Sequence, residues 1–313
     1  MARFLVTGGA GFIGSHLCDS LIASNDEVVV LDNLSSGKLE NLPNDVEFIL
    51  GDVSDASVIR RAIRGADGVF HLAAVASVEK CNLAWRAAHR TNLYGTVTLF
   101  EAACDQNPDS PIPVVYASSA AVYGSNSNER TQEDVPIRPL SAYGADKFSA
   151  ELHARAGGLI HGLPTAGMRF FNVYGPRQDP YSPYSGVISI FLDRVLSGQA
   201  LTIYGDGKQS RDFVFVSDVI EFMRRAMAQA AVDAPVFNVC TGSQTSILDL
   251  ANAASQVCGA AADLEFMAAR SGDIRHSGGD PSYASHHLDF LAQVKLPAGL
   301  DRTLQSMSGA QAA

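Results

Sequence analysis

Tyr143 and Lys147 lie four residues apart in the stretch SAYGADK, Ser141 to Lys147. On a helix that spacing puts both on one face, with Cβ atoms roughly 5 to 6 Å apart, so a phenol and an ammonium can meet. A free phenol ionises near pH 10. Acting as a base near neutrality requires a fall of about 3 pH units, worth about 4 kcal/mol, which nearby positive charge could supply. An exposed lysine beside a half-buried tyrosine is the commoner meaning of such a pair, and spacing alone does not choose. Ser118 and Ser119 end the apolar run PVVYASS. A hydroxyl there can hydrogen-bond a substrate hydroxyl as that group loses its proton, or simply form a turn.

A second set of residues reads as a binding site. In TGGAGFIG, Gly8, Gly11 and Gly14 recur every third position after the apolar run RFLV and before an amphipathic stretch. Between strand and helix, such a turn offers backbone N–H groups and a helix dipole to a pyrophosphate. Gly8 would permit the tight turn, Gly11 the approach of phosphate, and Gly14 close packing of helix on strand. Asp32 closes the second apolar run about twenty residues beyond the turn, where a carboxylate accepts both hydroxyls of an adenosine ribose and repels a phosphate. It argues for NAD over NADP, although Lys38 nearby could soften that preference. Asp52 and Val53 are placed to touch an adenine edge, and for Asp52 a helix N-cap is an equal reading.

These residues need a scaffold that gathers them. RFLV, EVVVLD, VEFILGDV, GVFHLAA and PVVYASS alternate with amphipathic stretches, including one from Phe12, one from Asp55 and the one carrying Tyr143 and Lys147. That rhythm predicts an α/β fold, a doubly wound parallel sheet with helices on both faces. Ligands of such sheets bind outside the carboxyl ends of the strands, where the glycine turn, Asp32, Asp52, HLAA and the serines all fall. After Met168 the rhythm gives way to the Pro, Gly and Tyr rich segment NVYGPRQDPYSPYSG. Residues 1–168 are therefore expected to form a dinucleotide-binding domain, with 211–241 (FVFVSDV and FNVCTG) returning strands to it, and 169–313 a mainly substrate-binding one.

Composition excludes other classes. The chain has 313 residues, 47% hydrophobic and 18% charged, enough for a large core and typical of a globular protein. It contains no run of about 18 apolar residues that could span a membrane, and its start, MARFLVTGGAGFIG, breaks too early for a secretory signal. A cytoplasmic protein is expected. The formal net charge of −10 disfavours nucleic acid and anionic lipid. Five cysteines without CxxC spacing read as free thiols, and eight scattered histidines as core or surface residues, so no disulfide or metal site is expected.

With the glycine turn, Asp32, HLAA, Asn92, SSAAVYG and YGADK in this order, the chain resembles the extended short-chain dehydrogenase/reductase family, and within it the NAD-dependent nucleotide-sugar 4-epimerases. MRFFNVYGPRQ, LTIYGDGKQSRDFVFVSDV and RSGDIRHS resemble that family's substrate side. The resemblance implies a modified Rossmann fold with a smaller carboxyl-terminal domain, bound NAD, a UDP-sugar substrate and homodimers built through a helical bundle. It implies catalytic roles for Ser119, Tyr143 and Lys147, and cofactor contacts from Gly8, Gly11, Phe12, Ile13, Asp32, Asn33, Asp52, Val53, Leu72, Ala73, Ala74, Asn92, Tyr143 and Lys147. Substrate contacts would come from Ser119, Asn172, Arg211, Arg270, Asp273 and Ser277. A surface ion pair of Arg211 with Asp212, and a turn role for Asn172, are the plainer readings of those two residues.

Departures from the pattern carry information too. Dehydratases and decarboxylases of the family carry an acid after the catalytic Ser or Thr, where this chain has Ala120 and Ala121. The usual YGASK is YGADK, so that Asp146 stands where serine is customary and is expected to face away from Lys147. Ser277 occupies a position where enzymes restricted to plain hexoses carry a bulky tyrosine, which leaves room for an N-acetyl group. A 4-epimerase acting on UDP-glucose or its N-acetylated counterpart is the function implied. A 4-ketoreductase consuming NADH and a non-catalytic NAD-binding regulator are the alternatives.

Overall fold

The computed structural model describes residues 1–125, 130–182, 186–269 and 274–311. Strand β1 (Arg3–Thr7) leads through the glycine turn into helix α1 (Phe12–Ala23), followed by β2 (Glu27–Asp32), β3 (Glu47–Leu50), α2 (Ala56–Ala62) and β4 (Gly68–His71). Two short helices, α3 (Val78–Leu83) and α4 (Trp85–His89), pass through a π-helical turn at Arg90–Tyr94 into α5 (Gly95–Gln106). Next come β5 (Val114–Ser119), α6 (Ala142–His161), β6 (Thr165–Phe170), β7 (Asn172–Tyr174), α7 (Val187–Leu196), β8 (Leu201–Tyr204), β9 (Ser210–Phe215), α8 (Val216–Met227) and β10 (Val236–Val239). The chain ends with β11 (Gln244–Ser246), α9 (Ile247–Cys258), β12 (Leu264–Met267), β13 (His276–Ser277), α10 (Ser282–Leu288) and α11 (Leu296–Gln311).

Among the described residues the largest sheet has seven strands in the order β10-β6-β5-β4-β1-β2-β3. The pairs β1–β2, β1–β4, β2–β3 and β4–β5 are all parallel. Chain order reverses between β1 and β4, which is the switch point where α/β sheets take their ligands. β2 reads EVVVLD without alternation because every residue after Glu27 is buried, as a strand covered by helices on both faces requires. Leu5, Val29, Leu31, Val69 and Val114 of the sheet pack with Ile59, Ile63, Leu99 and Phe100, all in one buried cluster, and each such side chain adds about 1.5–3 kcal/mol. This is the doubly wound architecture expected of the sequence. No helix among the described residues is long and apolar enough to cross a membrane.

The chain divides into two compact units, one of Met1–Gly124, Pro136–Arg169 and Ile220–Phe237, the other of Ser125–Val135, Phe170–Val219 and Asn238–Ala313. Of the two strands expected to return to the large sheet, β10 does so and β9 does not. β9 pairs instead with β7, β11 and β13, with Asn172 in register with Phe213 and Ser277 with Arg211. A run such as FVFV reports burial but not which sheet buries it. Phe213, Val214 and Phe215 are indeed all buried.

Candidate active site

The glycine turn is held in shape by its neighbours. Gly8 has φ +71, and a Cβ there would lie 2.7 Å from the Ala73 backbone nitrogen, so both the turn and the close approach of the β4 end demand glycine. A Cβ on Gly14 would collide with the Gly8 carbonyl, so this glycine packs α1 onto the turn itself. Close packing on a strand belongs to Gly9, whose added Cβ would lie 2.7 Å from Val30. Gly11 caps α1 with no side-chain hydrogen bond, which leaves first-turn N–H groups at Phe12 and Ile13 without a side-chain cap.

Asp32, at the end of β2, is 8% exposed. One carboxylate oxygen accepts the Ala10 N–H at 3.0 Å and the other the Leu34 N–H at 2.8 Å. Burial raises its pKa against the pull of these bonds. Each oxygen keeps a further lone-pair site, which is what two ribose hydroxyls would need. Asp52 accepts from Asn33 Nδ2 at 3.1 Å and from the Ser54 N–H at 2.8 Å. The N-cap of α2 is Asp55, whose side chain accepts from Ser57 and Val58, so of the two readings of Asp52 the cap does not apply. Val53 is buried. Cradle and carboxylates fit a dinucleotide such as NAD.

Between the turn and the next strand end runs a buried polar chain. Thr7 and His71 face each other in the β1–β4 register, with Oγ1 to Nδ1 at 2.7 Å, and His71 Nε2 is 2.9 Å from Thr96 Oγ1. The Thr96 hydroxyl donates to the Asn92 carbonyl at 2.7 Å, so it accepts from His71 Nε2–H, and Nδ1 accepts from the Thr7 hydroxyl. Burial, then the Lys147 charge, pushes His71 down to about 3, so it stays neutral. The Asn92 side chain accepts the Val75 N–H at 2.7 Å and donates to the Val75 carbonyl. The loop through Leu72, Ala73 and Ala74 is thereby tied at both ends. The HLAA pattern marked the loop, while the histidine that anchors it read as an ordinary core residue.

Helix α6 opens with a Ser141 cap, its hydroxyl accepting the Gly144 N–H at 3.1 Å, and a Cβ on Gly144 would lie 2.6 Å from the Ala121 carbonyl. That contact draws the helix against the turn after β5, where the Ser119 hydroxyl accepts the Ala121 N–H at 3.1 Å. Ser119, Tyr143 and Lys147 thus converge: Ser119 hydrogen-bonds the Tyr143 phenol, and Lys147 Nζ is 5.8 Å from the center of the phenol ring. Ser118 points elsewhere, donating to buried Glu151 at 2.5 Å. Glu151 is in turn bonded twice by Arg169, at 2.9 and 2.7 Å, and Arg169 reaches the Tyr123 hydroxyl at 2.9 Å.

Burial sets the electrostatics of the pair. Lys147 is 4% exposed and its ammonium donates to the Ala117 carbonyl at 2.7 Å; burial pushes it down to about 8. Burial pushes the Tyr143 phenol up to about 12, and the Ser119 hydrogen bond offsets this only in part. In the chain alone, then, burial dominates both groups, and the amine loses its proton well before the phenol would ionise. Asp146 is buried as well. It is 7% exposed, and its carboxylate accepts from His89 Nδ1 at 2.7 Å.

In the second unit, Asn172 Nδ2 donates to the Asp212 carbonyl at 3.3 Å, and Arg211 Nη1 to the Ser210 carbonyl at 2.9 Å. Asp212 is fully buried, its carboxylate taken by Thr241 and the Gly242 N–H. Successive strand residues face opposite ways, which argues against the Arg211–Asp212 ion pair. Ser277 sits beside Arg211 on β13. Arg270 and Asp273 lie outside the described residues.

The profile of the NAD dependent epimerase/dehydratase family matches residues 4–240. A UDP-glucose 4-epimerase of Mycolicibacterium smegmatis is 38% identical over 310 residues, covering 97% of each chain. Among solved structures, the UDP-glucose 4-epimerase of Thermotoga maritima, determined with UDP-glucose, superposes with a TM-score of 0.94 at 35% identity, covering 99% of each chain. A UDP-N-acetylglucosamine 4-epimerase of Methanobrevibacter ruminantium M1, in complex with UDP-N-acetylmuramic acid, does so with 0.93 at 36% identity, again over 99% of each.

Proposed function

Because the chain belongs to the NAD-dependent epimerase/dehydratase family, we propose that it inverts carbon 4 of a UDP-hexose through a transient 4-keto sugar. The observation that carries this reading is the meeting of Ser119, Tyr143 and Lys147 beside a turn that holds Ala120 and Ala121 where the family's dehydratases hold an acid. Elimination of water would want a carboxylate there, and this turn offers none.

NAD, when bound, would supply both the acceptor for the hydride of carbon 4 and its return to the opposite face of the 4-keto sugar, so that no net redox change results. Tyr143 takes the proton of the 4-hydroxyl, Ser119 orients that hydroxyl and relays its proton, and Lys147 holds the ribose of the cofactor and favours the phenolate. The phenol then returns its proton to the 4-oxygen of the inverted sugar, so the enzyme ends as it began. Arg211 and Asn172, together with Arg270 and Asp273, are the proposed contacts to the UDP moiety. The small Ser277 beside Arg211 leaves an N-acetylated hexose admissible, as does the similarity to a UDP-N-acetylglucosamine 4-epimerase.

The test is incubation with UDP-glucose, UDP-N-acetylglucosamine and UDP-glucuronate separately, without added reductant, and NMR of the products. A 4-epimer from one of them is the expected result, and Tyr143→Phe is expected to abolish it. Turnover only with NADH consumption would indicate the ketoreductase instead, and turnover within a few-fold of the parent in Tyr143→Phe refutes the assignment of the base.

A further inference from the structure

Glu151 follows Lys147 on α6 at the same interval at which Lys147 follows Tyr143, so the three form one stripe of the helix. The last two members of the stripe grip consecutive residues at the end of β5. The Lys147 ammonium donates to the Ala117 carbonyl at 2.7 Å, and the Glu151 carboxylate accepts from the Ser118 hydroxyl at 2.5 Å. The neighbouring strand β6 supplies the other half of the arrangement. Arg169 donates to Glu151 at 2.9 and 2.7 Å and, from Nη1, to the Tyr123 hydroxyl at 2.9 Å, with its guanidinium carbon 4.9 Å from the center of the Tyr123 ring.

Ser118 and Tyr123 bracket the turn that carries Ser119. Within it the Ser119 hydroxyl accepts the Ala121 N–H at 3.1 Å and hydrogen-bonds the Tyr143 phenol. A buried ion pair is by itself a poor source of stability, because desolvation offsets much of its attraction and packed apolar side chains of similar volume often serve as well. Apolar side chains could not, however, hold the two hydroxyls on either side of this turn. Reacting groups must be kept within about 0.5 Å of their working geometry by residues that are themselves locked by packing and hydrogen bonds. Glu151 and Arg169 meet that description, with side chains 6% and 4% exposed.

We propose that Glu151 and Arg169 are positioning residues for the reaction, their buried pair gripping Ser118 before the catalytic turn and Tyr123 at its end and so holding the Ser119 hydroxyl on the Tyr143 phenol. Neither touches a reacting atom. The inference rests on the reading of Ser119 and Tyr143 as catalytic and names the residues that keep them together.

Ser118→Ala and Tyr123→Phe each remove one grip and leave the ion pair in place. The chain has nine tyrosines, few enough for their hydroxyl-bearing ring carbons to be followed by NMR in the protein without substrate. Tyr143→Phe assigns the signal, and Ser119→Ala marks where it lies once the Ser119 hydrogen bond is gone. In each grip variant the Tyr143 signal is expected to move toward the Ser119→Ala position. For the UDP-sugar that the parent epimerises, kcat is expected to fall about tenfold with KM unchanged. A purely structural pair would cost stability and leave the signal of the folded protein in place. A signal that stays at the parent position in either variant overturns the proposal, as does an unchanged kcat beside a displaced signal. Should one variant fail to fold, the other decides. A displaced signal in a protein that epimerises no UDP-sugar would leave the positioning role standing and remove the catalytic reading. A fixed signal in an active epimerase would do the reverse.

Discussion

In the chain without cofactor, Tyr143 is expected to give no phenolate anywhere near neutral pH, and addition of NAD is expected to change that. The phenol is pushed up to about 12 by burial; a working base near pH 7 lies about 5 pH units lower, a difference of about 7 kcal/mol. Lys147 has its Nζ 5.8 Å from the ring center. A unit charge at that distance contributes about 3 kcal/mol at an effective dielectric constant of 20, provided it stays protonated. It does so only below about 8, so on raising the pH of the free protein the amine titrates first and its help disappears before the phenol ionises. About 4 kcal/mol must come from elsewhere, which is what one more cation about 4 Å away would provide. The assay is phenolate absorbance titrated between about pH 6 and 10, as the difference between the parent and Tyr143→Phe, with and without NAD. The expected difference is zero without the cofactor and one phenolate equivalent with it. A Tyr143-dependent phenolate in the free protein near pH 7, or none after NAD binds, would refute the reasoning.

Two further outcomes follow from buried and exposed surfaces. Glu151→Gln leaves the Arg169 guanidinium, 4% exposed, without its anion, and is expected to lower unfolding stability by about 3 kcal/mol; a loss under about 1 kcal/mol in urea titration, with the slope unchanged, would contradict the pairing. The homodimer implied by resemblance has apolar surface to use on α6, where Leu152, Leu159 and Ile160 are exposed. The parent is expected to sediment at twice the 33.1 kDa chain mass and Ile160→Glu closer to the single chain, whereas a parent sedimenting as a single chain rules the dimer out.

Much of the scaffold was legible because its signals are local. The glycine turn, the unbroken apolar strands and the Tyr143–Lys147 spacing depend on neighbours within one element, and strand ends that must share a ligand were recognisable as ends. What escaped depends on contacts distant in sequence. Nothing in FVFV says that β9 joins β7 and β11 rather than the large sheet. Nothing near Ser118 says that its hydroxyl belongs to Glu151, or that Asp146 is buried against His89, fifty-seven positions away. Adjacent residues on a helix diverge by about 100°, so Asp146 was naturally expected to face away from Lys147.

Two kinds of buried ionisable group stand out in the first unit. Glu151 and Arg169 neutralise each other, and His71 stays neutral with both nitrogens engaged by threonines. Their stability is local and complete. Tyr143 and Lys147 are different, because burial drives each toward its uncharged form, the phenol up and the amine down, while base catalysis needs the phenol charged and the amine still protonated. The folded chain alone therefore holds the site in a resting condition, and the energy that activates it must enter with the ligands as binding free energy realised at the reacting group.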